Sequence, residues 1–166
     1  MMDKYLSNPK ILKIIDQLGD YFKDLPHLPK NIKDFLVGIA PIAALIGGVL
    51  TIFSSLSMLL MVVGLNGLSP FAFMVGSLYW RGHLLFLGLL AVIYLLVGGL
   101  LIKAFPLLKK RRFAGWLYLY YAMIISLLSS LLSINGFGGL IWEAIWLGIH
   151  LYLLYEIRPA YKKAKK

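Results

Sequence analysis

Between Phe35 and Val63 the chain carries no charged side chain. A helix over such a run, rising roughly 1.5 Å per residue, crosses a hydrocarbon layer of about 30 Å. Apolar runs with few charges follow from His83 to Phe105, Phe113 to Ile134 and Phe137 to Ile157. The chain is 60% hydrophobic, with a mean hydropathy of +0.82. A soluble domain of 166 residues has too little interior to hide that surface.

The expected fold class is therefore all-α: a polytopic membrane protein with four transmembrane helices in a bundle and an N-terminal amphipathic interfacial helix. Residues 1–34 read as the amphipathic helix and linker. Residues 35–157 read as the membrane domain, with spans at about 35–63, 83–105, 113–134 and 137–157, and 158–166 as a basic tail. Pro41 is expected to break the first run, because the residue before a proline avoids the helical region. Phe35 to Ala40 would then lie in the interface. Pro106 is expected to end the second span, and Asn135-Gly136 is a tight-turn signal. The connection "LSPFAFMVGSLYW" is apolar enough to hug the bilayer.

Charge sets the threading. Sixteen of the 17 lysines and arginines fall before the first span, between Lys103 and Arg112, or after Ile157; Arg81 alone falls on the other side. The positive-inside rule places both termini and the Lys103–Arg112 connection in the cytoplasm, with Asn66 and Asn135 outside. The net charge of +10 is then a topology signal, with anionic lipid at the cytoplasmic face as a partner. No nucleic-acid motif accompanies it. The absence of cysteine excludes disulfides and thiolate chemistry. The first thirty residues show no cleavable signal peptide.

The segment "SNPKILKIIDQLGDYFKDL" is patterned as a surface helix. Asn8 suits the N-cap and Pro9 the first helical position. Ile11, Ile14, Ile15, Leu18, Phe22 and Leu25 share one face, expected to lie on the inner leaflet. Docking onto a protein partner is the alternative. His27, in the following "LPHLPK" turn, reads as a solvated loop histidine.

Small residues mark the faces on which helices approach in lipid. Ala43, Gly47, Thr51 and Ser55 form a stripe in the first span, widened by Ala44 and Gly48. Ala122, Ser126 and Ser130 repeat it in the third. Gly98 and Gly99 lighten the second, Ala144 and Gly148 the fourth. Trp116, Tyr118, Tyr120, Tyr121, Tyr152 and Tyr155 sit where interfacial anchors are expected, and Tyr79, Trp80 and Trp142 do so at the outer boundary.

Glu143 lies inside the fourth span. Its expected partner is Arg81, in a structural ion pair that a planar guanidinium suits. His150, seven residues on, shares its face but lies about 10 Å deeper, so the two cannot share a metal. His150 is either a satisfied core histidine or, with Glu143, part of a transport or proton path. No metal or cofactor is expected. No nucleophile–base pair appears, so enzyme function is not expected.

The amphipathic N-terminus, the four runs and the ending "LYLLYEIRPAYKK" resemble small uncharacterised four-span membrane proteins of bacteria. The resemblance covers the layout of most of the chain and implies a bacterial cytoplasmic membrane; it brings no catalytic motif. The expected function is a non-enzymatic accessory or scaffold unit, as a homo-oligomer or beside a partner membrane protein. The alternative is a small proton- or ion-coupled transporter using Glu143 and His150.

Overall fold

Helices follow the apolar runs, but their ends and contacts depart from the expected ones. The computed structural model describes residues 9–67, 78–132 and 137–162, without the side chains of 65–67, 78–82, 131–132, 137–140, Glu143 and Lys162. Five helices account for nearly all of them: α1 (Pro9–Asp20), α2 (Lys30–Gly67), α3 (Leu78–Lys109), α4 (Phe113–Leu132) and α5 (Phe137–Lys162). Asn8 and Asn135 lie outside the described residues.

Three of these helices are long and apolar enough to cross a membrane. They are Lys30–Gly64, His83–Lys109 and Phe113–Ser130, with mean hydropathies of 2.4, 2.8 and 1.4. Their outward faces carry large apolar side chains such as Phe53, Leu60 and Leu85. Helices that are apolar all round belong in lipid.

Pro41 does not break α2, which runs through it for 38 residues. A proline removes the amide that would bond the carbonyl four residues earlier, here that of Val37. The Tyr161 hydroxyl, from α5, donates to that carbonyl at 3.4 Å. Pro106 likewise lies inside α3 and not at its end. The helix closes three residues later on Lys109, and the Pro106 carbonyl accepts from the Lys110 amide.

The α3–α4 turn is tight. Arg111 takes φ 50°, the left-handed conformation that often ends helices. The Arg112 amide donates to Leu107 and the Arg111 amide to Leu108, so two terminal carbonyls find partners. Gly115 follows with no room for a side chain: a Cβ there would lie 2.7 Å from the Leu108 nitrogen.

α2 and α3 pack along their length and cross at Gly48 and Gly98. A Cβ on Gly98 would lie 2.9 Å from the Gly48 carbonyl oxygen, and one on Gly48 3.0 Å from that of Gly98. One helical stretch further on, the Ser55 hydroxyl donates to the Ala91 carbonyl at 2.6 Å. The main buried cluster lies at the other end of the bundle, beside α1. Ile15, Trp116, Leu117, Tyr120, Leu154 and Tyr161 are among its members.

α1 is docked on this end. Ile15 is 1% exposed, and Phe22 stacks on Tyr155 with ring centroids 5.3 Å apart. The apolar stripe read as a membrane-facing surface thus meets protein along much of its length. Ile14 and Tyr21 stay exposed. The helix stops at Asp20, short of the expected Leu25. Gly19 fits there because Tyr155 presses against it; a Cβ would lie 2.9 Å from the Tyr155 ring.

Candidate functional site

Among the described residues, a charged clamp under α1 and a cleft between the long helices carry polar or shaped surface.

The clamp is built from the end of α5. "YEIRP" places Glu156 and Arg158 two residues apart in the last turns, both buried. Glu156 faces the start of α2. Its carboxylate accepts from the Leu28 amide at 3.0 Å and from His27 Nδ1 at 2.7 Å. Lys33 Nζ lies 2.8 Å from Oε2. An anion at the start of a helix also meets the positive end of its dipole. His27 is thus exposed in its loop, as expected, and is bonded to Glu156 as well.

Arg158 faces α1, where its guanidinium pairs with Asp16. It lies over Trp116 at 5.0 Å, with Tyr155 and Phe113 at 5.7 and 5.9 Å. Aromatic faces partly replace the hydration that a buried cation loses. Its Nε is buried without a hydrogen-bond partner among the described residues. Two hydroxyls complete the clamp: Tyr155 donates to the Ile15 carbonyl at 2.7 Å, and Tyr152 to that of Pro26. The Trp116 indole donates to the Leu154 carbonyl at 2.8 Å. Trp116, Tyr120 and Tyr155 thus form a packed aromatic cluster, not a lipid-interface belt. Arg158 and Tyr161, at the start of the segment read as a basic tail, are buried; burial raises the Tyr161 phenol pKa above its ordinary value.

The cleft measures about 830 Å³. α2, α4 and α5 wall it and α3 forms its floor. α2 and α5 touch only sparsely, and the exposed Ile39, Ala43, Trp142 and Trp146 mark its open side. The wall is mainly apolar; Ser126, Ser130, Tyr94 and His150 interrupt it.

The residues singled out from sequence distribute as follows. Gly98 and Ser55 lie at the α2–α3 crossing. Gly47 stands beside it, meeting only a Leu101 methyl at 3.9 Å, and Gly48 takes the close position. Thr51 bonds back to the Gly47 carbonyl within its own helix. Gly99 and Gly148 have nothing within 4 Å of where a Cβ would sit, and Ala144 is exposed. Ala43, Ser126 and Ser130 line the cleft. His150 is exposed, and its Nδ1 donates to the Trp146 carbonyl at 2.8 Å. Arg81 and Glu143 belong to α3 and α5; their side chains lie outside the described residues, so their pairing does too. Among the described residues no group of three or more His, Cys, Asp or Glu side chains is placed to hold a metal.

Sequence reasoning missed the clamp. Its one local signal is the pair of opposite charges in "YEIRP", two residues apart beside a proline. Comparison with protein-family models, with curated proteins and with solved structures found no match.

Proposed function

We propose that this protein is a non-enzymatic accessory or scaffold unit of the bacterial cytoplasmic membrane, with four spans and both termini in the cytoplasm. α5 supplies the fourth span. Its 26 residues reach about 39 Å, and Ile141, Ile145 and Ile149 give it an exposed apolar side. The sixteen-to-one division of basic residues sets the orientation. Anionic lipid meets the cytoplasmic face, and a second copy or a partner membrane protein completes the unit.

The observation that carries this reading is the use made of Glu156 and Arg158. These two buried charges hold α1 and the α1–α2 linker on the bundle. Purification from native membrane with quantification of co-purifying proteins tests it. A stoichiometric membrane partner or a defined homo-oligomer supports it. A lone monomer that conducts protons in liposomes overturns it.

The position of His150 on the cleft favours one second reading, a proton- or ion-coupled transporter using Glu143 and His150. Flux abolished by Glu143→Gln with stability unchanged would select it. Under the scaffold reading, Glu143 pairs with Arg81, and a double-mutant cycle on thermal unfolding gives coupled losses.

A further inference from the structure

We infer that Arg158 is a binding site for a phosphate group, presented by an anionic phospholipid, and that Asp16 of α1 occupies the site as a built-in competitor. The inference rests on the proposed contact of this face with anionic lipid and narrows it to one side chain.

Arg158 lines a cavity of about 450 Å³ between α1, the linker and the end of α5, together with Lys33, His27, Asp16 and Glu156. Its side chain is 9% exposed, and its guanidinium lies over the Trp116 ring. A guanidinium lying over a ring bonds along its edges. On one edge, Nη2 is taken by Asp16, while Nε has no partner among the described residues. A buried donor left unpaired is costly. An oxyanion that sets two oxygens on that edge satisfies both nitrogens. Asp16 is a loose occupant: its side chain is 55% exposed, and it rides on a helix whose buried residue is Ile15.

Charge selects the anion. Asp20 and Lys23, also in the lining, pair with each other. With Asp16 displaced, the cations Arg158 and Lys33 outnumber Glu156 in the remaining wall. An anionic headgroup restores the balance, whereas a zwitterionic one brings its own cation. The linker and the first turns of α2 carry exposed Leu25, Ile32 and Phe35, the apolar contact that a membrane surface takes. A phosphate on Arg158 deprives α1 of its ion pair and leaves it held by the Tyr155 hydroxyl and the Phe22 stack. Phosphate binding and the seating of α1 therefore oppose each other, each by the same factor.

Phosphatidylglycerol titrated into the full chain in dodecyl maltoside, a detergent without phosphate, tests this. Native mass spectrometry counts bound lipid, and amide exchange follows α1. Phosphatidylglycerol should bind ahead of phosphatidylcholine, and exchange in α1 should rise as it does. Asp16→Asn removes the competitor and should lower the binding midpoint about threefold or more. Asp24→Asn makes the same charge change outside the cavity lining and should leave the midpoint in place. Arg158→Lys keeps the charge, loses the fork and should raise the midpoint. Thermal unfolding reports whether it folds; if it does not, the two aspartate variants decide. Inorganic phosphate that competes at millimolar concentration supports the site with the free anion as occupant, and lipid binding indifferent to it supports the headgroup. Equal shifts in Asp16→Asn and Asp24→Asn, or α1 exchange unmoved by bound lipid, overturn the site and leave anionic lipid as a partner. No preference for phosphatidylglycerol over phosphatidylcholine overturns both.

Discussion

The Tyr161 hydroxyl lies 3.4 Å from the Val37 carbonyl, the acceptor that Pro41 deprives of its helical donor. Tyr161→Phe should therefore cost about 1 kcal/mol, the net value of one such bond. In a Pro41→Ala background the restored backbone amide can serve Val37, and the same change should cost less. A thermal-unfolding cycle in nanodiscs measures the difference, and equal costs in both backgrounds would break the link between the two residues.

At the α2–α3 crossing, Gly98→Ala would set a methyl 2.9 Å from the Gly48 carbonyl oxygen and 2.5 Å from the Ile52 side chain. Backbone on the facing helix cannot step aside as a side-chain tip can. The expected loss is about 1–3 kcal/mol. Gly99→Ala is the control: with open space around it, it should be neutral or gain up to about 1 kcal/mol from helix propensity.

The α3–α4 turn offers a change in the opposite direction. Arg111 holds a left-handed φ that glycine adopts without strain. Arg111→Gly should stabilise by about 1 kcal/mol. Gly115→Ala should destabilise, because the nearest obstacles are Leu107 and Leu108 backbone atoms. The unfolding temperatures of the two variants should move apart.

The clamp predicts coupling between distant segments. Glu156→Gln weakens the contacts to Lys33 and His27, and Lys33→Met leaves the buried carboxylate short of one cation. Lys33 is 32% exposed, so each loss should be about 1–2 kcal/mol, below the value of a fully buried pair. The double variant should lose less than the sum. Amide exchange in α1 and the linker should rise in both single variants before the rest of the bundle changes. Exchange that rises uniformly would remove the clamp's local role.

What was legible in the sequence was what periodicity and composition encode locally. The uncharged run from Phe35 to Val63 announces a long helix without reference to any other segment. The face it presents was harder to read. A four-residue stripe such as Ala43, Gly47, Thr51 turns by about 40° per step, so it slides off one face as it climbs. The contact follows Ser55 of that stripe and the Ala44 and Gly48 that widen it. Pro41 was read by a steric rule that holds for the isolated chain, and the carbonyl it frees is answered by Tyr161, 124 positions away. Glu156 and His27 are 129 apart. No local pattern joins such pairs; only the folded arrangement of α1, α2 and α5 does.

That separation has a consequence for biosynthesis. Asp16 and Arg158 are 142 positions apart, so Asp16 leaves the ribosome on the order of ten seconds before its partner. Throughout that interval α1 has no seat, and its apolar stripe is left to the lipid surface or a chaperone. A nascent chain stalled before α5 displays a sticky amphipathic segment that the finished protein hides. Seating of α1 thus reports that α5 has been made.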